Sequence, residues 1–121
     1  MSRVAERVAR ALEPRAEVLE AYLFRSSAAG MAQARRDVDV AVYVDPARAG
    51  EASPHGHVAE LGSVLMAALG RNDVDVVVLN HAPPLLYQRV LRDGVRVLSR
   101  DLRATAAREG YALSRYPEAK P

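Results

Sequence analysis

Apolar residues recur along this chain with two periods. Over residues 2–13, Val4, Val8 and Leu12 stand four apart, while Arg3, Glu6, Arg7 and Arg10 fill other faces. That spacing predicts a short amphipathic helix, capped by Ser2 and stopped before Pro14. Over residues 17–24, Val18, Leu19, Tyr22, Leu23 and Phe24 favour a strand. The small residues of 26–34 predict a turn leading into a short helix, after which Arg35 and Arg36 bring the chain back. A second strand over 37–44 then alternates, with Val38, Val40, Val42 and Val44 on one face and Asp37, Asp39, Ala41 and Tyr43 on the other.

Pro46, Gly50, Pro54 and Gly56 mark residues 45–57 as a mobile loop. Val58, Leu61, Leu65, Met66 and Leu69 predict a core-facing helix ended by Gly70. Residues 71–73 form a turn, and VDVVVL over 74–79 a third strand. Residues 80–84 are a rigid connection, with Pro84 suited to the first position of a helix through Leu85, Leu86, Val90 and Leu91, closed by Asp93 and Gly94. Residues 95–98 make a last short strand. Asp101 caps a final helix to about Tyr116, weakened by Gly110 and ended by Pro117, leaving 117–121 as a tail. Helices and strands alternate throughout, predicting an α/β or α+β domain over 1–121, with a mixed sheet of about four strands backed by helices.

Composition narrows the class. A chain of 121 residues, 50% hydrophobic and 26% charged, closes one modest core. No uninterrupted apolar run reaches the roughly 18 residues of a membrane span. No basic patch precedes an apolar stretch at the N-terminus, so no secretory signal is expected. The absence of cysteine excludes disulfides and thiolate metal sites, and a cytoplasmic location is the default expectation. The net charge of +2 is carried by scattered arginines, too weak a pattern for direct nucleic-acid binding.

The chemistry concentrates between residues 23 and 44. Asp37 and Asp39, two apart on a strand, project from one face and can approach a divalent cation from two directions. Asp75 stands in the third strand beside a valine run that otherwise disfavours charge. If the two strands are neighbours, three carboxylates converge at one sheet edge, the donor set of a two-metal phosphoryl-transfer site. Mg²⁺ suits hard oxygen ligands shared with phosphates. Asp73 falls in the turn and is read as a capping or solvated residue. Upstream, Ser26, Ser27, Ala28, Ala29 and Gly30 form a small-residue turn able to offer N–H groups and a hydroxyl to a phosphate.

These residues resemble the DNA polymerase β nucleotidyltransferase superfamily. Ser26 and the Asp37-Val38-Asp39 element follow its Gly-Ser, about ten residues, Asp-x-Asp signature. The chain is most similar to the minimal MNT domains, antitoxins of HEPN/MNT toxin–antitoxin pairs, because Leu79-Asn80-His81-Ala82-Pro83-Pro84-Leu85-Leu86 and Gly94-Val95-Arg96-Val97-Leu98 look like that group's tail. The resemblance implies that Asp37, Asp39 and Asp75 are catalytic and bind two Mg²⁺ ions. It implies further that Ser26, Ser27 and Arg25 border the nucleotide phosphates and that ATP is the substrate. The implied activity is transfer of AMP to a tyrosine of a HEPN ribonuclease partner.

The chain departs from that pattern at Arg25, which stands where the family carries glycine and its freer backbone. The alternative reading is therefore an MNT domain that neutralises its toxin by binding alone. A small-molecule nucleotidyltransferase of the aminoglycoside type is a third, disfavoured by the lack of a second substrate domain. His55 and His57 form an H-x-H without an evident third ligand, and His81 reads as a rim residue. The apolar side of the last helix, Leu102, Ala106, Leu113 and Tyr116, reads as core or partner surface.

Overall fold

The computed structural model describes residues 3–24, 37–49 and 54–115. Four strands form one mixed sheet: β1 (Val18–Phe24), β2 (Val38–Val44), β3 (Val74–Val78) and β4 (Val95–Ser99), in the order β3-β2-β1-β4. β1 runs antiparallel to both β2 and β4, while β2 and β3 are parallel. A parallel pair needs a crossover. It is supplied by α2 (Pro46–Ala49) and α3 (Pro54–Leu69). The remaining helices are α1 (Arg3–Leu12), α4 (Pro84–Asp93) and α5 (Leu102–Ser114), with a 3₁₀ turn at Leu79–His81.

The alternation of β2 divides the interior in two. Val38, Val40, Val42 and Val44 pack with Val8 and Leu12 of α1 and Leu61 and Leu65 of α3. The opposite face carries Ala41, which packs with Tyr22, Phe24, Tyr87, Val90 and Ala112 beneath α4 and α5. In β1 a register shift between Val18 and Glu20 inserts one extra residue. Such a bulge resets which side chains face which layer. Val18 enters the α1–α3 core, and Glu20, fully buried, turns to the α4–α5 side.

Glu20 is held there by α5. Arg108 donates from Nε at 2.6 Å and from Nη2 at 2.8 Å, and the Thr105 hydroxyl donates at 2.9 Å. Beside it, the Tyr22 hydroxyl and Arg96 Nη1 both donate to Glu109, at 2.7 and 2.8 Å. A second staple lies close by, past the end of β4, where the Arg100 guanidinium donates to the carbonyls of Leu12, Glu13, Arg15 and Val18.

Several expectations change. Residues 45–57 are not one loop, because Pro46 and Pro54 each open a helix. A proline read as a breaker is equally suited to the first helical position, where no N–H is required. The third strand ends at Val78, and Leu79 begins the 3₁₀ turn. Gly94 ends α4 in extended geometry, φ −97°, rather than a left-handed cap. Space is what it provides: an added Cβ would lie 2.6 Å from the Val90 carbonyl oxygen and 3.0 Å from Phe24 Cβ. Gly70 does take the left-handed role after α3, at φ +68°. Asp101 caps α5 as expected, accepting from the Arg103 and Ala104 N–H groups. Leu102 and Leu113 are 65% and 52% exposed, so that side of α5 is surface and not core. The helix expected within 26–34, the cap at Ser2 and the tail at 117–121 lie outside the described residues. No helix among the described residues is long and apolar enough to cross a membrane.

Candidate active site

Three strands meet at one edge of the sheet. Asp39 and Asp75 are Cα partners in the parallel β2/β3 ladder, and Asp39 is also the partner of Phe24, the last residue of β1. Each aspartate is the second residue of its strand, following a valine that packs into the α1–α3 core. Alternation therefore sends both carboxylates to the other face. Asp37 stands just outside β2, exposed, while Asp39 is buried and Asp75 reaches solvent. The expected adjacency of the two strands is thus present in the fold and brings Asp39 and Asp75 together, with Asp37 one residue before β2.

Electrostatics record the same convergence. The Asp75 carboxyl is pushed above the ordinary aspartate range, first by loss of water and then by the charges of Asp39, Asp37 and Asp73. Crowded carboxylates resist shared ionisation and are relieved by a cation. Arg71 stands beside this edge. It forms a two-point fork with Asp73 through Nε and Nη2, and Asp37 adds to the field that holds its proton. Asp73 is therefore engaged by Arg71, which agrees with its reading as a turn residue and leaves Asp75 as the third carboxylate of the edge.

Among the described residues, no group of three His, Cys, Asp or Glu side chains is gathered closely enough to hold a metal ion as it stands. The donor chemistry nevertheless fits a hard divalent cation, since oxygen ligands of like charge face one another across a strand pair. Arg25, Ser26 and Ser27, expected at the phosphates, lie outside the described residues. Phe24 immediately precedes them and is partnered with Asp39, so the chain leaves β1 at the carboxylate edge. The side chains of His55 and His57 also lie outside the described residues. His81 is exposed in the 3₁₀ turn.

Sequence reasoning missed two features. Arg71 at the rim had only a turn-like Arg-Asn-Asp to announce it. The Glu20–Arg108 pair could have been sought from a glutamate in the middle of an otherwise apolar strand.

Residues 6–103 match the family model described as Polymerase beta, Nucleotidyltransferase. No curated protein matches the chain. Among solved structures, the fold is similar to a chain of the complex of tri-AMPylated Shewanella oneidensis HEPN toxin with MNT antitoxin, at 22% identity and TM-score 0.70, covering 97% of this chain and 87% of that one. It is also similar to a toxin–antitoxin structure with AMP-PNP, at 23% identity and TM-score 0.72, covering 96% and 89%. The sheet order, the paired aspartates and the span of the family match lead to one conclusion: the chain belongs to the polymerase β nucleotidyltransferase family.

Proposed function

We propose that this chain is a minimal MNT-type antitoxin, a single cytoplasmic domain that silences a HEPN toxin by transferring AMP from ATP to a toxin tyrosine. The observation that carries the reading is the in-register pair Asp39 and Asp75, with Asp37 at the same edge. The likeness of the fold to HEPN–MNT complexes, one AMPylated and one holding an ATP analogue, supports the choice of partner and nucleotide.

In this reading Asp37, Asp39 and Asp75 hold Mg²⁺, which when bound neutralises phosphate charge and polarises the α-phosphate. Ser26 and Ser27 contact the outer phosphates. The tyrosine oxygen attacks the α-phosphorus, the bond to the α,β-bridging oxygen breaks, and pyrophosphate leaves. The phenolic proton passes to the Asp75 carboxylate, which reaches solvent beside Asp39.

Arg25 motivates a second reading, neutralisation by occlusion without transfer, because a side chain replaces the glycine that lets backbone approach phosphate. Intact-mass measurement of a HEPN toxin incubated with this chain, ATP and Mg²⁺ separates the two. A mass gain of one or more AMP groups, lost in an Asp37→Asn, Asp39→Asn variant that still binds the toxin, is expected. An unmodified toxin that is nonetheless inhibited, and that becomes labelled only with Arg25→Gly, would establish occlusion instead.

A further inference from the structure

A cavity of about 380 Å³ opens on the α4–α5 side of the sheet, lined by Tyr43, Leu79, Pro84, Tyr87, Arg108 and Arg115 among others. That volume lies within the range of small-molecule sites. The cavity is distinct from the carboxylate edge. Tyr43 is four residues along β2 from Asp39, and the packed cluster of Tyr22, Phe24, Ala41 and Leu79 fills the face between.

Its chemistry is one-sided. The walls are mostly apolar, and Ala104, Ala107 and Ala112 leave the α5 side open because nothing extends beyond Cβ. Among the described residues no acidic side chain lines it, while two guanidiniums do. Arg108 gives Nε and Nη2 to Glu20, which leaves the N–H groups of Nη1 directed away from that carboxylate. Arg115 stacks over the Tyr111 ring at 5.5 Å and pairs with no carboxylate among the described residues. The N-terminus of α4 borders the same space through Ala82 and Pro84, with no acidic residue in its first turn and no side-chain cap. Helix N-termini favour negative charge. Tyr87 lines the same space at 8% exposure, and its hydroxyl is buried without a hydrogen-bond partner among the described residues, held neutral first by burial and then by the nearby charge of Glu20.

We infer that this cavity is a second ligand site, for a small planar carboxylic acid whose ring packs on the apolar wall. Its carboxylate accepts from Arg108 Nη1 and Arg115. A phosphate ligand is disfavoured by the apolar lining, which offers a group with up to two negative charges little but desolvation. The inference is independent of the carboxylate edge and stands or falls without it.

Titration of the ¹⁵N-labelled full chain with phenylacetate, followed by amide chemical shifts, tests it. Saturable shifts at residues of β2, α4 and α5 are expected, with an affinity of about millimolar or tighter for so small a probe. Phenylacetamide, which keeps the shape without the charge, is expected to bind at least about ten-fold more weakly. Arg115→Gln should weaken phenylacetate about five-fold. Ala107→Trp, which fills the opening from an exposed position, should abolish the shifts while thermal melting stays as in the wild type. Absence of saturable shifts, equal binding of acid and amide, or binding retained in folded Ala107→Trp would each overturn the assignment. Asp37→Asn should leave phenylacetate binding unchanged, which separates this site from the proposed transfer chemistry.

Discussion

Asp39 and Asp75 are direct partners across the only parallel strand pair among the described residues, and their charges oppose each other. Burial first, and then the charges of Asp39, Asp37 and Asp73, hold the Asp75 carboxyl above the 3.8 of an unperturbed aspartate. A group whose folded pKa is raised contributes stability that is complete below its unfolded pKa and lost as pH rises through the folded one. Asp75→Asn is therefore expected to melt higher than the wild type near pH 7, with the difference closing near pH 3. Mg²⁺ should raise the wild-type melting temperature and leave an Asp37, Asp39, Asp75 triple asparagine variant unmoved. A triple variant stabilised by Mg²⁺ as strongly as the wild type would place the cation elsewhere.

Tyr22 gives the alkaline counterpart. Burial, followed by its bond to Glu109 and that residue's charge, pushes the phenol well above its ordinary 10.0. Its contribution is complete below pH 10 and is lost as pH rises beyond. Tyr22→Phe should cost about 1 kcal/mol at pH 7, the net worth of one hydrogen bond. Above pH 10 its stability should fall less steeply than that of the wild type, as urea unfolding across pH would show.

Glu20 has no exposure, and it answers two donors of Arg108 and the Thr105 hydroxyl. Glu20→Ala strands a partly buried guanidinium and is expected to cost about 3 kcal/mol in denaturant unfolding. Glu20→Gln, which keeps an acceptor for Thr105, should cost less. Equal losses in the two would mean that the charge contributes nothing.

Two glycines should respond oppositely to alanine. At Gly94 the new methyl meets the Val90 carbonyl oxygen and the backbone of Leu23, so Gly94→Ala should destabilise by about 1–3 kcal/mol. At Gly110, inside α5, the methyl meets nothing within 4 Å. Gly110→Ala should stabilise by roughly 0.5–1 kcal/mol through helix propensity. Thermal melts of the two variants suffice.

Much of the fold is legible because period and punctuation agree. The valine alternation of β2, the Asp101 cap and the Pro84 start each name one local structure and no other. Where the reading failed, one residue type served two purposes. Pro46 and Pro54 begin helices as readily as they break them. Gly94 answers to crowding from Val90, four residues back, and from β1, seventy residues away, and the second no local pattern records. The site divides likewise. Asp39 and Asp75 could be paired from their like positions at the starts of two valine strands, and the ladder places them in register. Arg71 and the α4–α5 cavity arise only from tertiary placement.

The Arg100 guanidinium carries one more consequence, for the order of folding. Its four acceptors lie in residues 12–18, so each bond spans 82 to 88 positions. Contacts of such long separation close late. During synthesis the turn that joins α1 to β1 thus gains this staple only once residue 100 has emerged, long after α1 can pack on β2 and α3. A chain ending at residue 98 should leave the amides of residues 13–18 exchanging faster than in one ending at residue 115, while the α1 amides packed on α3 change less.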